Sequence, residues 1–437
     1  MNISGKHIAV LGAGRSGLAA QRLATSRGAV ATIVDSGDPA KFAMNGVFGE
    51  SALKYDAPCD FAVVSPGIDL KWPIAAQFVD RGVEILGEIE FAYRFWTADV
   101  IGITGTNGKT TTTELTTHLL NQGGQRAVAG GNYGVPFAEI VLSEETWDVV
   151  VLELSSFQLE TIQDFRPSIS VWMNFAPDHM DRYTAIEDYR NAKLAIFQNQ
   201  QATDWAIVHH EDAAAMILAP QTLTFSAFAE GADLGLDQGK LTFRDKAIAT
   251  LRDTHLSGKH NAENLMAAMA VGHVRGLDLA GMRDAVSSYK PPRHRCEKVS
   301  DIDGVLILND SKATNVHALE SSLRALDGDI ILIAGGKQKG LDYNTLKALL
   351  PGKVKRLIAI GEIREALIML ANGLCPALAV ETLEEAVADA MAHVSSGQTI
   401  LFSPGTSSFD MFTGYEDRGD VFSSLIKQHL TNHETYS

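Results

Sequence analysis

The chain has 437 residues, 46% of them hydrophobic, a formal net charge of −16, and three cysteines, Cys59, Cys296 and Cys375. At roughly 100–200 residues per domain this length predicts two to four domains, each able to bury a core. The acidic balance argues against nucleic acid or an anionic membrane surface as a partner, and the scattered cysteines argue against a disulfide framework or thiolate zinc site.

The chain starts Met1-Asn2-Ile3-Ser4-Gly5-Lys6, which lacks the layout of a signal peptide, and no apolar run nears the ~20 residues of a membrane helix. A cytoplasmic protein with no membrane insertion is expected. The apolar run 7–11 reads as a buried strand, followed by Gly12-Ala13-Gly14-Arg15-Ser16-Gly17 and a helix from residue 18 to 27. Strands at 29–34, ending in Asp35, and at 61–64, ending in Ser65-Pro66-Gly67, continue the grammar of a parallel α/β sheet. This segment closes near Glu90.

A second segment opens with a strand at 100–104 and a helix over 110–122. Strands at 148–154 and 168–174 follow. Short strands at 206–208, 222–224 and 241–243, with a hairpin turn at Asp245-Lys246 before 247–251, suggest a small extra sheet. A helix over 262–275 and the boundary Pro291-Pro292 end the segment. The third segment alternates again, with strands at 305–308, 330–334, 357–360 and 399–402 and a helix over 383–393. The simplest account is three α/β domains in series, at 1–90, 91–292 and 293–437.

The motif with the sharpest chemistry lies between the strand at 100–104 and its helix: Gly105-Thr106-Asn107-Gly108-Lys109-Thr110-Thr111. Glycines there let backbone N–H groups turn onto phosphate oxygens at a helix N-terminus. Lys109 can reach terminal phosphates, and the Thr110 hydroxyl can join a Mg²⁺ shell. Glu153 ends an apolar strand, the place for a carboxylate that holds Mg²⁺ opposite such a loop. Pro177-Asp178-His179-Met180-Asp181-Arg182-Tyr183 concentrates polar groups after a strand. Lys193, taken by itself, reads as a lysine on a helix surface.

Gly12, Gly14 and Gly17 form a G-x-G-x-x-G with Asp35 near the position of a ribose-binding acid, which suggests a nicotinamide cofactor. Nothing downstream looks like hydride-transfer chemistry, and a tight turn for helix packing is the bland alternative. In the third segment, Asn309-Asp310-Ser311-Lys312-Ala313-Thr314-Asn315, Lys339, and Ser403-Pro404-Gly405-Thr406-Ser407-Ser408 all sit at presumed carboxyl ends of strands, where α/β sheets bind ligands. Their lysines and hydroxyls suit a substrate bearing carboxylates.

As a set, these motifs resemble the Mur ligases of peptidoglycan synthesis over essentially the whole chain. The resemblance is carried by Thr104-Gly105-Thr106-Asn107-Gly108-Lys109-Thr110, Glu153-Leu154-Ser155-Ser156-Phe157-Gln158-Leu159-Glu160, Asp178-His179-Met180-Asp181-Arg182-Tyr183, Ser257-Gly258-Lys259-His260-Asn261 and the Asn309–Asn315 stretch quoted above. The phosphate loop is shared with folylpolyglutamate synthetase. The stretches beginning at Glu153 and Asn309 are more particular to the member that adds D-glutamate.

The resemblance implies a Rossmann-like domain for a UDP-linked substrate, a central P-loop ATPase-like domain, and a Rossmann-like amino-acid-binding domain. It implies that ATP activates the carboxylate of UDP-N-acetylmuramoyl-L-alanine as an acyl phosphate, which D-glutamate then attacks. Lys109, Glu153, His179 and Lys193 would be catalytic. Two Mg²⁺ are implied, one on Thr110 and Glu153, the other served by His179 and a carbamylated Lys193. ATP would be held by Gly105, Thr106, Asn107, Gly108, Lys109, Thr110 and Thr111, with Asn261 and Asn264 toward the adenine and Arg295 and Asp310 toward the ribose and phosphates. Gly14, Ser16, Asp35, Ser36, Ser65 and Asn132 would meet the UDP substrate. His179, Lys312, Thr314, Lys339, Ser408 and Tyr415 would receive D-glutamate. A monomer is expected. A sister ligase with another amino acid, a folylpolyglutamate synthetase-like ligase and a nicotinamide-dependent oxidoreductase stay open as alternatives.

Overall fold

The computed structural model describes residues 1–41, 44–143, 145–176, 182–256, 258–291, 293–326 and 328–434. Its strands form three sheets. The first consists of β1 (His7–Leu11), β2 (Val30–Asp35), β3 (Val47–Phe48), β4 (Phe61–Val64) and β5 (Ile85–Gly87), all parallel in the order 3-2-1-4-5. The helix Arg15–Ser26 begins three residues before the apolar pattern suggests, because the glycine turn leads straight into it. Gly17 lies so close to the turn that an added Cβ would overlap the Gly12 carbonyl oxygen. Its glycine is therefore required for the helix to lie against the sheet.

The second sheet has nine strands: β6 (Asp99–Thr104), β7 (Ala127–Gly131), β8 (Val149–Glu153), β9 (Ile169–Trp172), β10 (Trp205–His209), β11 (Gln221–Ser226), β12 (Leu234–Asp237), β13 (Lys240–Phe243) and β14 (Lys246–Thr250). Their order is 14-13-12-11-10-9-6-8-7. The expected small extra sheet is thus a continuation of the main one. β10 and β11 pair parallel onto β9, and β12 to β14 add an antiparallel edge. The hairpin turn is at Arg244-Asp245, one residue earlier than its sequence suggests, with φ of 46° and 67°; Lys246 belongs to the strand. Two positive φ values in a two-residue loop match the right-handed twist of the flanking strands. The same geometry recurs at Gln238-Gly239, joining β12, which the sequence pattern does not reveal, to β13.

Both faces of the central sheet are covered, so its strands read as continuous apolar runs. In β8, Val149 and Val151 enter the cluster under the helices Lys109–Gln122 and Lys259–Val274. Val150 and Leu152 point the other way, into a cluster shared with Ile8, Val10, Phe61 and Val63 of the first sheet. Residues 262–272 of the Lys259–Val274 helix are all buried, which makes it a core helix without an exposed stripe. The first and second sheets therefore share one core, and the chain divides into compact units Met1–Tyr289 and Lys290–Ser437.

The second unit holds the third sheet, β15 (Glu297–Ile302), β16 (Val305–Asn309), β17 (Ile330–Gly335), β18 (Val354–Ile360), β19 (Ala377–Ala379) and β20 (Thr399–Phe402), in the order 15-16-20-17-18-19. All pairs are parallel except β15 with β16. Leu308, Leu332 and Leu401 fill one face, and Ile307, Ile333 and Ile400 the other. No helix among the described residues is long and apolar enough to cross a membrane.

Candidate active site

The carboxyl ends of β7, β8, β6 and β9 lie side by side and point the same way. Ile103 pairs with Glu153, Gly131 with Glu153, and Thr104 with Trp172, so the phosphate loop, Glu153, Asn132 and Asn174 emerge together. β6 lies between strands that follow it in the chain, the topological switch point at which open α/β sheets bind ligands.

The loop is held by hydrogen bonds from its neighbours. Asn107 N donates to Asn174 Oδ1 at 2.8 Å, and Asn174 Nδ2 returns to the Asn107 carbonyl at 3.2 Å. The Thr106 hydroxyl donates to the Ala176 carbonyl at 3.1 Å and accepts from Ala176 N at 3.0 Å. Gly108, the N-cap of the helix Lys109–Gln122, has φ +82°, and a Cβ there would overlap Asn264 Oδ1. A glycine satisfies both constraints. Lys109 Nζ folds back to donate to the carbonyls of Gly105 at 2.9 Å and Thr106 at 2.8 Å. Thr110 and Thr111 follow in the first turn of the helix, half-buried.

Asn264 is 6% exposed; its Oδ1 accepts from the Thr112 hydroxyl at 3.2 Å and its Nδ2 donates to Asn261 Oδ1 at 3.1 Å. The core packing of the Lys259–Val274 helix against the helix Lys109–Gln122 therefore brings both asparagines to the loop.

Glu153 is 3% exposed. Its Oε1 accepts from Asn132 Nδ2 at 2.9 Å, while its Oε2 has no hydrogen-bond partner among the described residues. A buried carboxylate oxygen left in that state is costly unless a cation or donor completes it. Glu153 beside the Thr110 hydroxyl's helix turn thus fits an oxygen-ligated Mg²⁺. No cluster of three or more metal-ligating side chains occurs among the described residues. Asp178, His179 and Asp181 lie outside them.

Lys193 overturns its own sequence reading. The helix Ile186–Leu194 has a polar sequence, yet Lys193 is 2% exposed, donates to the Gly105 carbonyl at 2.9 Å and lies 4.7 Å from the centroid of the Tyr189 ring. It therefore belongs to the phosphate loop's surroundings, 88 residues away in sequence. Arg182 stacks on Phe157 at 4.2 Å, pairs with Glu160 at 2.6 Å and donates to the Pro66 carbonyl at 3.2 Å, tying the central sheet's loops to the turn after β4.

In the first sheet, Asp35 accepts from Ala13 N and Gly37 N, both at 2.7 Å, so its carboxylate braces the glycine turn. Ser65 Oγ lies against Gly12 and Gly17 with no hydrogen-bond partner among the described residues. Gly14 and Ser36 are exposed and Ser16 is half-buried at the start of the Arg15–Ser26 helix.

The remaining residues named from sequence lie in the second unit. Asp310 is 4% exposed, and its oxygens accept from the hydroxyls of Ser322 at 2.6 Å and Ser403 at 2.7 Å and from Cys296 N at 3.2 Å. Burial raises its pKa. The carboxylate is engaged within its own unit, fastening β16 to β20. Arg295, Lys312, Thr314 and Tyr415 are half-buried, Lys339 is exposed and Ser408 is 2% exposed.

The sequence motifs did not single out Arg418, which is 1% exposed. Its guanidinium donates to the Ser311 hydroxyl at 3.0 Å and to the carbonyls of Ser311 at 2.8 Å and Thr406 at 3.1 Å, and burial lowers its pKa to about 10. It straps together the loops after β16 and β20. Its only sequence signal is a charged residue in the first turns of the amphipathic C-terminal helix Tyr415–Glu434.

A glycine loop with a lysine at a helix N-terminus, between a parallel strand and a neighbouring strand that ends in a buried carboxylate, defines the class of proteins that bind nucleotide phosphates. Comparison with known proteins narrows it. The Mur ligase middle domain family matches residues 103–272, and the Mur ligase glutamate ligase domain family matches 294–405. The chain is 38% identical to the UDP-N-acetylmuramoylalanine–D-glutamate ligase of Chlorobium chlorochromatii, covering 98% of this chain and 100% of that one. It is 39% identical to the enzyme of the same name from Geotalea uraniireducens, covering 98% of each. Among solved structures, a MurF ligase from Thermotoga maritima in complex with ADP shares the fold, with a TM-score of 0.58 and 16% identity over 98% of this chain and 96% of that one. The chain belongs to the Mur ligase family.

Proposed function

We propose that the protein is an ATP-dependent amide ligase that adds D-glutamate to UDP-N-acetylmuramoyl-L-alanine in peptidoglycan precursor synthesis. What supports phosphoryl chemistry with a divalent cation is the buried Glu153 Oε2, without a hydrogen-bond partner among the described residues, on the strand beside the phosphate loop. What supports the choice of amino acid is identity of 38–39% along nearly the whole chain to ligases of that name.

In the proposed reaction the substrate carboxylate attacks the terminal phosphorus of ATP and ADP leaves. The amine of D-glutamate then attacks the resulting acyl phosphate, and phosphate departs as the amide forms. Both the carboxylate and the ATP phosphates are anionic, so cations must offset their repulsion as charge moves. Lys109 swings from its own loop carbonyls to the terminal phosphate. Glu153 and Thr110 would hold a Mg²⁺, which supplies Lewis-acid stabilisation of the phosphoryl oxygens. A second Mg²⁺ is proposed on His179 and Lys193, with Lys193 carbamylated. That modification turns a buried ammonium into an oxygen ligand. Gly105 to Thr111 with Asn261, Asn264, Arg295 and Asp310 are assigned to ATP. Gly14, Ser16, Asp35, Ser36, Ser65 and Asn132 are assigned to the UDP substrate, and His179, Lys312, Thr314, Lys339, Ser408 and Tyr415 to D-glutamate. We further propose the three domains 1–90, 91–292 and 293–437, a monomer, and a cytoplasmic location.

The test is incorporation of radiolabelled amino acids into UDP-N-acetylmuramoyl-L-alanine with ATP and Mg²⁺. Labelled product with D-glutamate, matched by ADP and phosphate, is expected. Incorporation of L-glutamate, L-alanine or a diamino acid while D-glutamate fails would overturn the assignment.

A further inference from the structure

Glu88 begins the helix Glu88–Tyr93 directly after β5 and is 2% exposed. Its Oε1 accepts from Ala138 N at 2.6 Å, and its Oε2 has no hydrogen-bond partner among the described residues. It lines a small cavity with Ser65, Gln158, Glu160, Thr161 and Arg182, of which Glu160 and Arg182 are the charged members and pair with each other. Nothing in the proposed chemistry uses this carboxyl, and burying it is unfavourable.

Its target explains its position. The helix Phe137–Leu142 starts after Pro136, which offers no side-chain acceptor, so its first N–H groups lack a local cap. Glu88 supplies that cap from the helix that follows the last strand of the first sheet. The capped helix is the outgoing arm of the loop that carries Asn132. The loop closes through Gly131 N to the Val135 carbonyl at 2.9 Å and is tied to β8 by Asn132 N on the Glu153 carbonyl at 2.8 Å. Asn132 Nδ2 then fixes Glu153 Oε1 at 2.9 Å. A Cβ on Gly130 would overlap Ile140 Cδ1 of the same helix and the Val135 carbonyl oxygen of the loop, so the end of β7 packs closely against both.

We infer that Glu88 is a positioning residue for the Glu153 carboxylate, acting through the Ala138 N–H and the Asn132 loop. The inference rests on the proposed role of Glu153 toward a divalent cation. Groups that orient a metal-binding side chain typically change metal affinity or activity by about 10–100-fold when altered, and a group one contact further out should act at the lower end.

Two variants separate the acceptor from the charge. Glu88→Gln keeps an oxygen that can accept the Ala138 N–H. Glu88→Asp keeps the charge and withdraws the oxygen by one methylene. Mn²⁺ binding in the presence of ADP is read from the free-ion EPR signal, with thermal unfolding and ADP release measured beside it. Glu88→Asp should weaken Mn²⁺ binding by about five- to ten-fold and lower kcat to match, with the KM for ATP held within about two-fold; Glu88→Gln should stay within about two-fold of wild type in all three. Unchanged Mn²⁺ binding and kcat in Glu88→Asp would overturn the inference. So would equal losses in both variants that track a lowered unfolding temperature, since these mark a role in stability alone. Wild-type protein that binds Mn²⁺ with ADP but releases no ADP on the proposed substrates would remove the functional reading and leave the Glu88 comparison intact.

Discussion

Two lysines share one backbone oxygen at the phosphate loop. Lys109 and Lys193 each donate to the Gly105 carbonyl at 2.9 Å, and Lys193 is enclosed by the fold. Two neighbouring ammonium groups repel, and the buried one has lost most of its hydration. Conversion of Lys193 to a carbamate would relieve that repulsion and supply oxygens for a cation. Lys193→Ala should therefore be nearly inactive in ADP release, and formate or acetate should partly restore the rate by occupying the vacated volume. Full activity without added acid would show that Lys193 only packs. Glu88 makes a second prediction at this scale. Its pKa is raised from 4.5 to about 7, with burial the largest cause and the N–H groups of Ala138 and Phe137 opposing it. The folded state thus binds more protons than the unfolded one across that interval. The stability from neutral Glu88 is complete below about 4.5 and is lost as pH rises through about 7. Glu88→Gln stays neutral, so its stability relative to wild type should rise by up to about 3 kcal/mol from pH 5 to pH 8, at ~1.4 kcal/mol per pKa unit. Urea unfolding at the two pH values measures the difference; a constant offset would refute the assignment of the shift.

At the scale of elements, Glu90 joins the helix Glu88–Tyr93 to the segment before β9. It is fully buried and accepts from the N–H groups of Gln163 at 3.0 Å, Asp164 at 3.1 Å and Phe165 at 2.9 Å, and from Arg94 Nε at 2.9 Å. Glu90→Ala strands three amides and takes from Arg94 one of its carboxylate partners, leaving it Gln163, Glu84 and Asp164. It should destabilise the first unit by about 3–5 kcal/mol, read as a lowered urea midpoint with unchanged m. Such cross-links mark the limit of what sequence reveals. The phosphate loop was legible because its evidence is local: an apolar strand, glycines at positive φ, a lysine and a helix in immediate succession. Glu153 was legible from its place at the end of an apolar strand. Lys193 came into view only through the family resemblance, because a helix reading Ile-Glu-Asp-Tyr-Arg-Asn-Ala-Lys-Leu looks solvated until its contact with Gly105 is known. The second sheet was seen in pieces for a related reason. Strands β10 to β14 are short, and only their register onto β9 shows that they extend the same sheet. Arg418 and Glu88 escaped notice because their partners come from other elements, with no spacing to signal them.

The whole molecule folds as two compact units with cores of different origin: the first 289 residues bury two sheets around a shared cluster, and the remainder buries its own sheet on both faces. Proteins built this way commonly depart from a single all-or-none transition. Each unit also has its own marker. The phosphate loop, Glu153 and Lys193 all belong to the first, while Arg418 straps the loops after β16 and β20 in the second. Arg418→Met deletes three hydrogen bonds from a buried cation and leaves Asp310 and Asp410 without its field; losses of several kcal/mol are typical when one partner of a buried charged network is removed. Calorimetry of the full chain should resolve two components. Arg418→Met should lower one of them, and ADP with Mg²⁺ should raise most the component of the unit that carries the phosphate loop, by mass action on its folded state. One component that moves as a whole under both changes would show that the units unfold together, and that the strap around Arg418 stabilises the nucleotide-binding unit as well as its own.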